Sequence, residues 1–299
     1  MTLNKVFLPC RHGLGDVLAG WFVPNKDGTR SVNNQLLGKV RTGVISERLI
    51  AYAYFERWYA PTVGELFQLL PFKVIVRSTE DFPGVVRAAA GDNFFPNSVG
   101  NVNNVLTNPP KELEKMAIGE TIYPPLTKPD INLPTNYIVL HDSAGSKDRC
   151  LTDTLIIKTI KKITNLPIIR VGQNEPRATI SYISSDIDLT NRLTIAETNW
   201  LASQATVIIS SLSFLRVYGA IYGTTVIELA QQNLVQPATI KRTKCEYESG
   251  QYGINQVHNQ WFIWPDQEQA FIEKLKMVTK EVAVVIQENT DLTNWTISQ

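Results

Sequence analysis

At 299 residues the chain is long for one hydrophobic core and suits two domains of ordinary size. Hydrophobic residues at 43% against charged residues at 19% describe a globular protein, and 29 basic against 28 acidic side chains leave a formal charge of +1, which argues against a chain built to coat nucleic acid. Three scattered cysteines, Cys10, Cys150 and Cys245, form neither a disulfide framework nor a zinc spacing, and no run approaches the ~20 apolar residues of a membrane span.

Val6-Phe7-Leu8 reads as a short buried strand. Arg11-His12-Gly13-Leu14-Gly15-Asp16 interrupts it with two glycines, a basic pair and an acid, and Val17-Leu18-Ala19 with Trp21-Phe22 resume as a helix. A strand, a glycine turn and a helix put the loop at the carboxyl end of a parallel strand, where open α/β sheets bind ligands. Gly13 and Gly15 carry no Cβ and let backbone approach a ligand closely. Arg11 and His12 are either charge partners in that loop or ordinary exposed polar residues. Asp16 is either a helix-start residue favoured by the dipole or the loop's reactive carboxylate.

Ser46 to Tyr59, SERLIAYAYFERWY, predicts a helix with a serine cap, whose aromatic face is core or lines an acceptor cleft. Thr62 to Leu70 is a second helix candidate, Phe72 to Val76 a strand and Phe82 to Ala90 a further helix. Asp92 to Asn108, rich in Asn, Gly, Pro and Ser, has loop chemistry. Ile122 to Thr135 holds four prolines without periodicity and marks the linker between domains 1–128 and 129–299.

In the second half, Tyr137 to His141 predicts a strand that leads into a polar loop, Asp142 to Arg149, and then a helix over Thr154 to Thr164. Pro167 to Gly172 is the next strand, Asp188-Leu189-Thr190 a loop and Thr194 to Gln204 a helix. Thr206 to Ser210 is a strand, Ser211-Leu212-Ser213 a turn, Leu215 to Tyr222 a helix and Thr225 to Leu229 another strand. Gln267 to Gln287 reads as one long amphipathic helix. Strands alternating with helices predict a mostly parallel α/β sheet.

Several of these segments carry a resemblance. Leu193-Thr194-Ile195-Ala196-Glu197, continuing to Leu201 and Ala205, is similar to a helix of the bacterial lipopolysaccharide heptosyltransferase family, glycosyltransferases of inner-core assembly. Ala220-Ile221-Tyr222-Gly223-Thr224 resembles the end of that family's next helix. Gly15-Asp16-Val17-Leu18, Leu140-His141 with Lys147, and the strand ending at Gly172 resemble its earlier motifs in the same order. The chain departs from the family at Leu212-Ser213-Phe214 and Val217, where the family has an aspartate, a serine or threonine, a glycine and then a histidine.

The resemblance implies a GT-B-like α/β fold, with two Rossmann-like domains facing across a cleft and the last helix packing back on the N-terminal domain. It implies an N-terminal acceptor domain and a C-terminal domain that binds a nucleotide sugar. Asp16 would be the catalytic base, with Arg11, His12, Gly13 and Gly15 on the acceptor side. Lys147, with Arg149 as its rival in a loose register, would meet donor phosphate. Gly172, Ser211, Ser213 and Arg216 are further donor-side candidates, and Glu228 a candidate for a ribose hydroxyl. Ser211 and Ser213 also fit a plain strand-to-helix turn, and His141 is either a cleft residue or a hydrogen-bonded structural histidine.

The expected activity is inverting, metal-independent hexosyl or heptosyl transfer from a nucleoside-diphosphate donor to the hydroxyl of a saccharide or other acceptor. Such transfer needs a base for the acceptor proton and positive groups for the departing diphosphate. Asp186-Ile187-Asp188 has the spacing of a metal-binding pair but does not stand where such a pair is used, so no metal and no cofactor is expected. Two other readings stay open: a virus-encoded transferase acting on modified DNA bases or a virion protein, and a non-catalytic nucleotide-sugar binder or scaffold. Nucleic acid is not the favoured partner on charge. Without a signal-peptide pattern or a membrane span, the expected location is the cytoplasm of a bacterial or virus-infected cell.

Overall fold

The computed structural model describes residues 5–8, 50–55, 73–78, 126–145, 147–172, 185–249 and 258–280. The chain divides into two compact units. One comprises Met1–Lys128 with Thr194–Asn199 and Glu246–Ile254, the other Pro129–Leu193 with Trp200–Cys245 and Asn255–Gln299.

In the first unit, β1 (Lys5–Leu8), β2 (Ile50–Phe55) and β3 (Lys73–Ser78) form a parallel sheet in the order β1-β2-β3. β1 and β3 fall where the apolar runs predict them. β2 corrects the expected helix over Ser46 to Tyr59. Its core, Ile-Ala-Tyr-Ala-Tyr-Phe, pairs on both edges, Tyr52 opposite Phe7 on one side and Ile75 on the other. A central parallel strand lacks the polar alternation that marks a half-exposed strand, so its apolar cluster also satisfies a helical count. Pairing on both sides decides between them. The helix candidates Thr62 to Leu70 and Phe82 to Ala90, and the loop Asp92 to Asn108, lie outside the described residues.

The second unit is built on six strands: β4 (Ile138–His141), β5 (Ile168–Arg170), β6 (Ile187–Asp188), β7 (Val207–Ser210), β8 (Val226–Gln231) and β9 (Asn259–Trp264). Their order is β6-β5-β4-β7-β8-β9 and every neighbouring pair is parallel. Counted within the unit this is 3-2-1-4-5-6, the doubly wound dinucleotide-fold order, in which the strands are added outward in one direction from β4 and in the other from β7.

One face carries Ile138, Leu140, Ile168, Val207, Ile209, Ile227, Leu229 and Trp264. It is covered by Ile156, Ile157 and Ile160 of α1 (Leu155–Ile163) and by Phe271, Leu275 and Val278 of α5 (helical over 268–280). Fully burying such a side chain contributes roughly 1.5–3 kcal/mol, so this layer anchors the strands whose carboxyl ends carry the polar residues described below. The remaining residues of the predicted helix, 281–287, lie outside the described residues.

The expected helix over Thr194 to Gln204 is α2 (Ile195–Gln204). The Thr194 hydroxyl accepts from the Glu197 N–H at 3.3 Å, while the Glu197 carboxylate accepts from the Thr194 N–H and hydroxyl, both at 2.8 Å. That is a reciprocal capping box, which gives the Thr-x-x-Glu pattern a folding role of its own. The helix predicted over Leu215 to Tyr222 is a 3-10 turn, Phe214–Val217, running into α3 (Tyr218–Tyr222), which ends on Gly223 at φ +72°. Among the described residues, β6, α4 (Pro237–Ser249) and β9 escape the sequence reading.

Candidate functional site

The strand order reverses between β4 and β7, and in an open α/β sheet the carboxyl ends of the strands at such a point are the usual ligand position. The register puts His141 opposite Ser210 and Ser210 opposite Glu228, so one row of polar side chains ends the face remote from α1 and α5. All three are buried.

The His141 imidazole lies 2.8 Å from the Ser213 hydroxyl through Nδ1 and 3.5 Å from the Ser143 hydroxyl through Nε2. The ring of Phe214 stands edge-on to it at 5.2 Å. Burial, helped by the charge of Arg170, pushes the His141 pKa down to about 3, so the ring is neutral at physiological pH. Ser213 in turn lies 2.9 Å from the Ser210 hydroxyl, which donates to the Ser211 carbonyl at 2.8 Å. The Ser211 hydroxyl donates to the Ser143 carbonyl at 2.7 Å, and the Ser211 N–H to the His141 carbonyl. Ser213 stands at the N-cap of the following turn but makes no side-chain cap; its hydroxyl is engaged by His141 and Ser210 instead.

Gly172 follows β5 at φ +126°, and a Cβ there would come within 2.8 Å of His141 Cδ2 and 2.9 Å of both His141 Nε2 and Ser143 Oγ. The glycine that ends this strand therefore makes room for the imidazole.

The loop leaving β4 is tied down at several points. The Leu151 N–H donates to the Asp142 carbonyl at 2.8 Å and ties its two ends together. The Asp142 carboxylate, fully buried, accepts from Arg170 Nε with both oxygens at 3.1 Å, and Arg170 reaches Asp188 at 3.2 Å. The Thr239 hydroxyl of α4 holds Asp148 at 3.3 Å. On this frame a 3-10 turn, Lys147–Arg149, carries an exposed Lys147 and a half-buried Arg149.

Arg216 lies 3.9 Å from the fully buried carboxylate of Glu228, so these two candidates are ion-pair partners within the fold. Asp186 and Asp188 are both engaged by cations, Asp186 by Lys161 and Asp188 by Arg170. Burial pushes the Asp188 carboxyl up, but hydrogen bonds from Thr190 and the Arg170 charge outweigh it and leave its pKa below the usual range. Asp186 is likewise lowered: Lys161 and the Ile168 N–H outweigh its burial.

The structure thus gathers Gly172, Ser211 and Ser213 around His141, places Lys147 and Arg149 together on the loop that starts there, and pairs Arg216 with Glu228. Asp16, Arg11, His12, Gly13 and Gly15 lie outside the described residues. Sequence reasoning passed over Asp142, Ser143 and Arg170. Only the hydrophobic setting of a charged Arg170 at the end of Ile168-Ile169 signals that a buried counter-charge must exist.

No protein-family model and no curated protein matches the chain. Among solved structures it is similar to the Escherichia coli ADP-heptose lipopolysaccharide heptosyltransferase II, at 8% identity and a TM-score of 0.48, over 96% of this chain and 99% of that one. It is similar to a glycosyl transferase family 9 protein of Veillonella parvula at 9% identity and 0.46, over 90% and 89% of the two chains. It is also similar to the iron-containing dodecameric glycosyltransferase TibC of enterotoxigenic E. coli, at 11% identity and 0.40, spanning 77% of this chain but only 59% of TibC. The α/β assignment rests on the strand order itself. Among the described residues no helix is long and apolar enough to cross a membrane.

Proposed function

We propose that the chain is an inverting, metal-independent glycosyltransferase that moves a sugar from a nucleoside-diphosphate donor to an acceptor hydroxyl. The observation that carries this reading is the reversal point of the second unit. Buried polar groups converge there, and the adjoining loop holds Lys147 and Arg149 on a pinned frame. Two cations beside these strand ends suit a diphosphate, whose charge rises as the sugar departs.

In this reading residues 129–299 bind the donor and residues 1–128 the acceptor. Lys147 is the principal phosphate contact with Arg149 beside it, and Gly172, Ser211 and Ser213 line the donor site. The Arg216–Glu228 pair backs the serine turn at the register position beside Ser210. Asp16 takes the proton of the acceptor hydroxyl as it attacks the anomeric carbon from the side opposite the leaving diphosphate. The order of the heptosyltransferase-like motifs supports the same assignment.

A thermal-shift panel of nucleoside diphosphates and nucleotide sugars tests it. A ligand at 100 times its Kd raises stability by about 2.7 kcal/mol, and the responding members identify base and sugar. Asp16→Asn should then lower turnover by about 10²–10⁴-fold with donor affinity nearly unchanged. A panel without a single response, or full transfer by the Asp16 variant, would refute the proposal.

A further inference from the structure

The serine turn contains enough hydrogen bonds to fix the direction of every hydroxyl proton in it. A backbone carbonyl only accepts, so the 2.8 Å contact between Ser210 and the Ser211 carbonyl takes the single Ser210 proton. Ser210 therefore accepts from Ser213 across their 2.9 Å contact, which takes the Ser213 proton. With its proton engaged, Ser213 is an acceptor toward His141, and His141 donates from Nδ1 at 2.8 Å. The neutral ring then keeps a lone pair on Nε2, toward which the Ser143 hydroxyl points from 3.5 Å. Ser211 has its proton on the Ser143 carbonyl at 2.7 Å. One directed chain runs from Ser143 through His141, Ser213 and Ser210 to the Ser211 carbonyl, and it reverses nowhere without leaving a carbonyl facing a lone pair.

Of the three serines in the turn, Ser210 and Ser211 are buried and Ser213 is half-buried. Ser213 accepts from His141 and donates to Ser210, which leaves one lone pair on its oxygen and no proton. From this we infer, building on the transferase reading above, that Ser213 meets the ligand as a hydrogen-bond acceptor. The group it recognises is a hydroxyl of the donor, and not a phosphate oxygen. A phosphate oxygen at hydrogen-bond distance would set lone pair against lone pair, whereas a sugar or ribose hydroxyl supplies the missing proton. The diphosphate is left to Lys147 and Arg149, and His141 is a positioning residue that sets the polarity of the turn.

Two measurements test this. Nitrogen-resolved NMR of the unliganded protein, with His141→Asn assigning the signal, should show a neutral His141 protonated on Nδ1. A ring protonated on Nε2 would reverse the chain and overturn the inference, whatever the protein's activity. Binding of inorganic pyrophosphate, a nucleoside diphosphate and its nucleotide sugar is then compared in wild type, Ser213→Ala and Lys147→Ala. Lys147→Ala should weaken all three. Ser213→Ala should leave pyrophosphate within twofold and weaken a hydroxyl-bearing ligand by about three- to tenfold. Loss confined to the nucleotide sugar assigns the transferred sugar's hydroxyl, and equal loss for the nucleoside diphosphate assigns the ribose. An equal loss for pyrophosphate would show a serine–phosphate bond and overturn the inference while leaving the transferase reading standing. Wild type binding none of the three would overturn both.

Discussion

Gly172→Ala is the sharpest structural test of the site. The new Cβ would sit 2.8 Å from His141 Cδ2 and 2.9 Å from His141 Nε2 and Ser143 Oγ. The imidazole and the backbone are both held in place. His141 is held by Ser213 and flanked by Phe214, and Gly172's own backbone is fixed by Val171 donating to Leu140 and Asn191 donating to the Gly172 carbonyl, both at 2.9 Å. A φ of +126° adds strain for any side chain. Taking about 1–3 kcal/mol for the backbone and about 1–3 kcal/mol for overpacking gives a loss of about 2–6 kcal/mol. Gly223→Ala is the control. Its φ is also positive, +72°, but the nearest atom to a Cβ lies 3.9 Å away, on His258. That change should cost only the left-handed penalty of about 1–2 kcal/mol. Urea unfolding of both variants, followed by tryptophan fluorescence and far-UV circular dichroism, measures the difference. If Gly172→Ala is as mild as Gly223→Ala, the imidazole does not occupy the space assigned to it.

Three further outcomes follow from the same contacts. His141 is neutral in the fold with a pKa of about 3, against 6.5 when unfolded, so its stabilising contribution is complete above pH 6.5 and is lost as pH falls toward 3. The slope is about 1.4 kcal/mol per unit, or about 2 kcal/mol between pH 7 and 5. Asp186 and Asp188, held below the carboxylate range, act only at lower pH, and His141→Asn should flatten the limb above pH 5 by that amount. Arg170→Met strands the buried Asp142 carboxylate and should cost about 3–5 kcal/mol, much of it recovered by adding Asp142→Asn; a double-mutant cycle by urea unfolding measures it, and additive losses would deny the pair. Thr194→Ala removes the capping box and should cost about 1 kcal/mol by the same assay.

Much of the second unit was legible because parallel strands covered on both faces leave unbroken apolar runs. Tyr137 to His141, Pro167 to Gly172 and Thr206 to Ser210 each contain the strand the structure places there, and Thr225 to Leu229 covers the first four residues of β8, which runs on to Gln231. Capping and turn chemistry were equally local: Thr194 with Glu197 starts α2, and Gly223 ends α3. The long polar α4 escaped notice because its Lys-Arg-Thr-Lys core shows no apolar stripe, and β2 was misread because its apolar cluster fits both periods.

What no local pattern carries is which distant residues meet. His141 and Ser213 are 72 positions apart, Asp142 and Arg170 are 28 apart, and each pair is joined only because β4 lies between β5 and β7. The sequence determined most of the strands and helices of the second unit, through burial and capping that act over a few residues, while β2 was decided by its pairing with β1 and β3. The order of the strands determined the reversal point, the buried ion network and the direction of the serine hydrogen bonds. A hydrogen bond or ion pair depends on distances of about 3 Å, and only the packed sheet sets those.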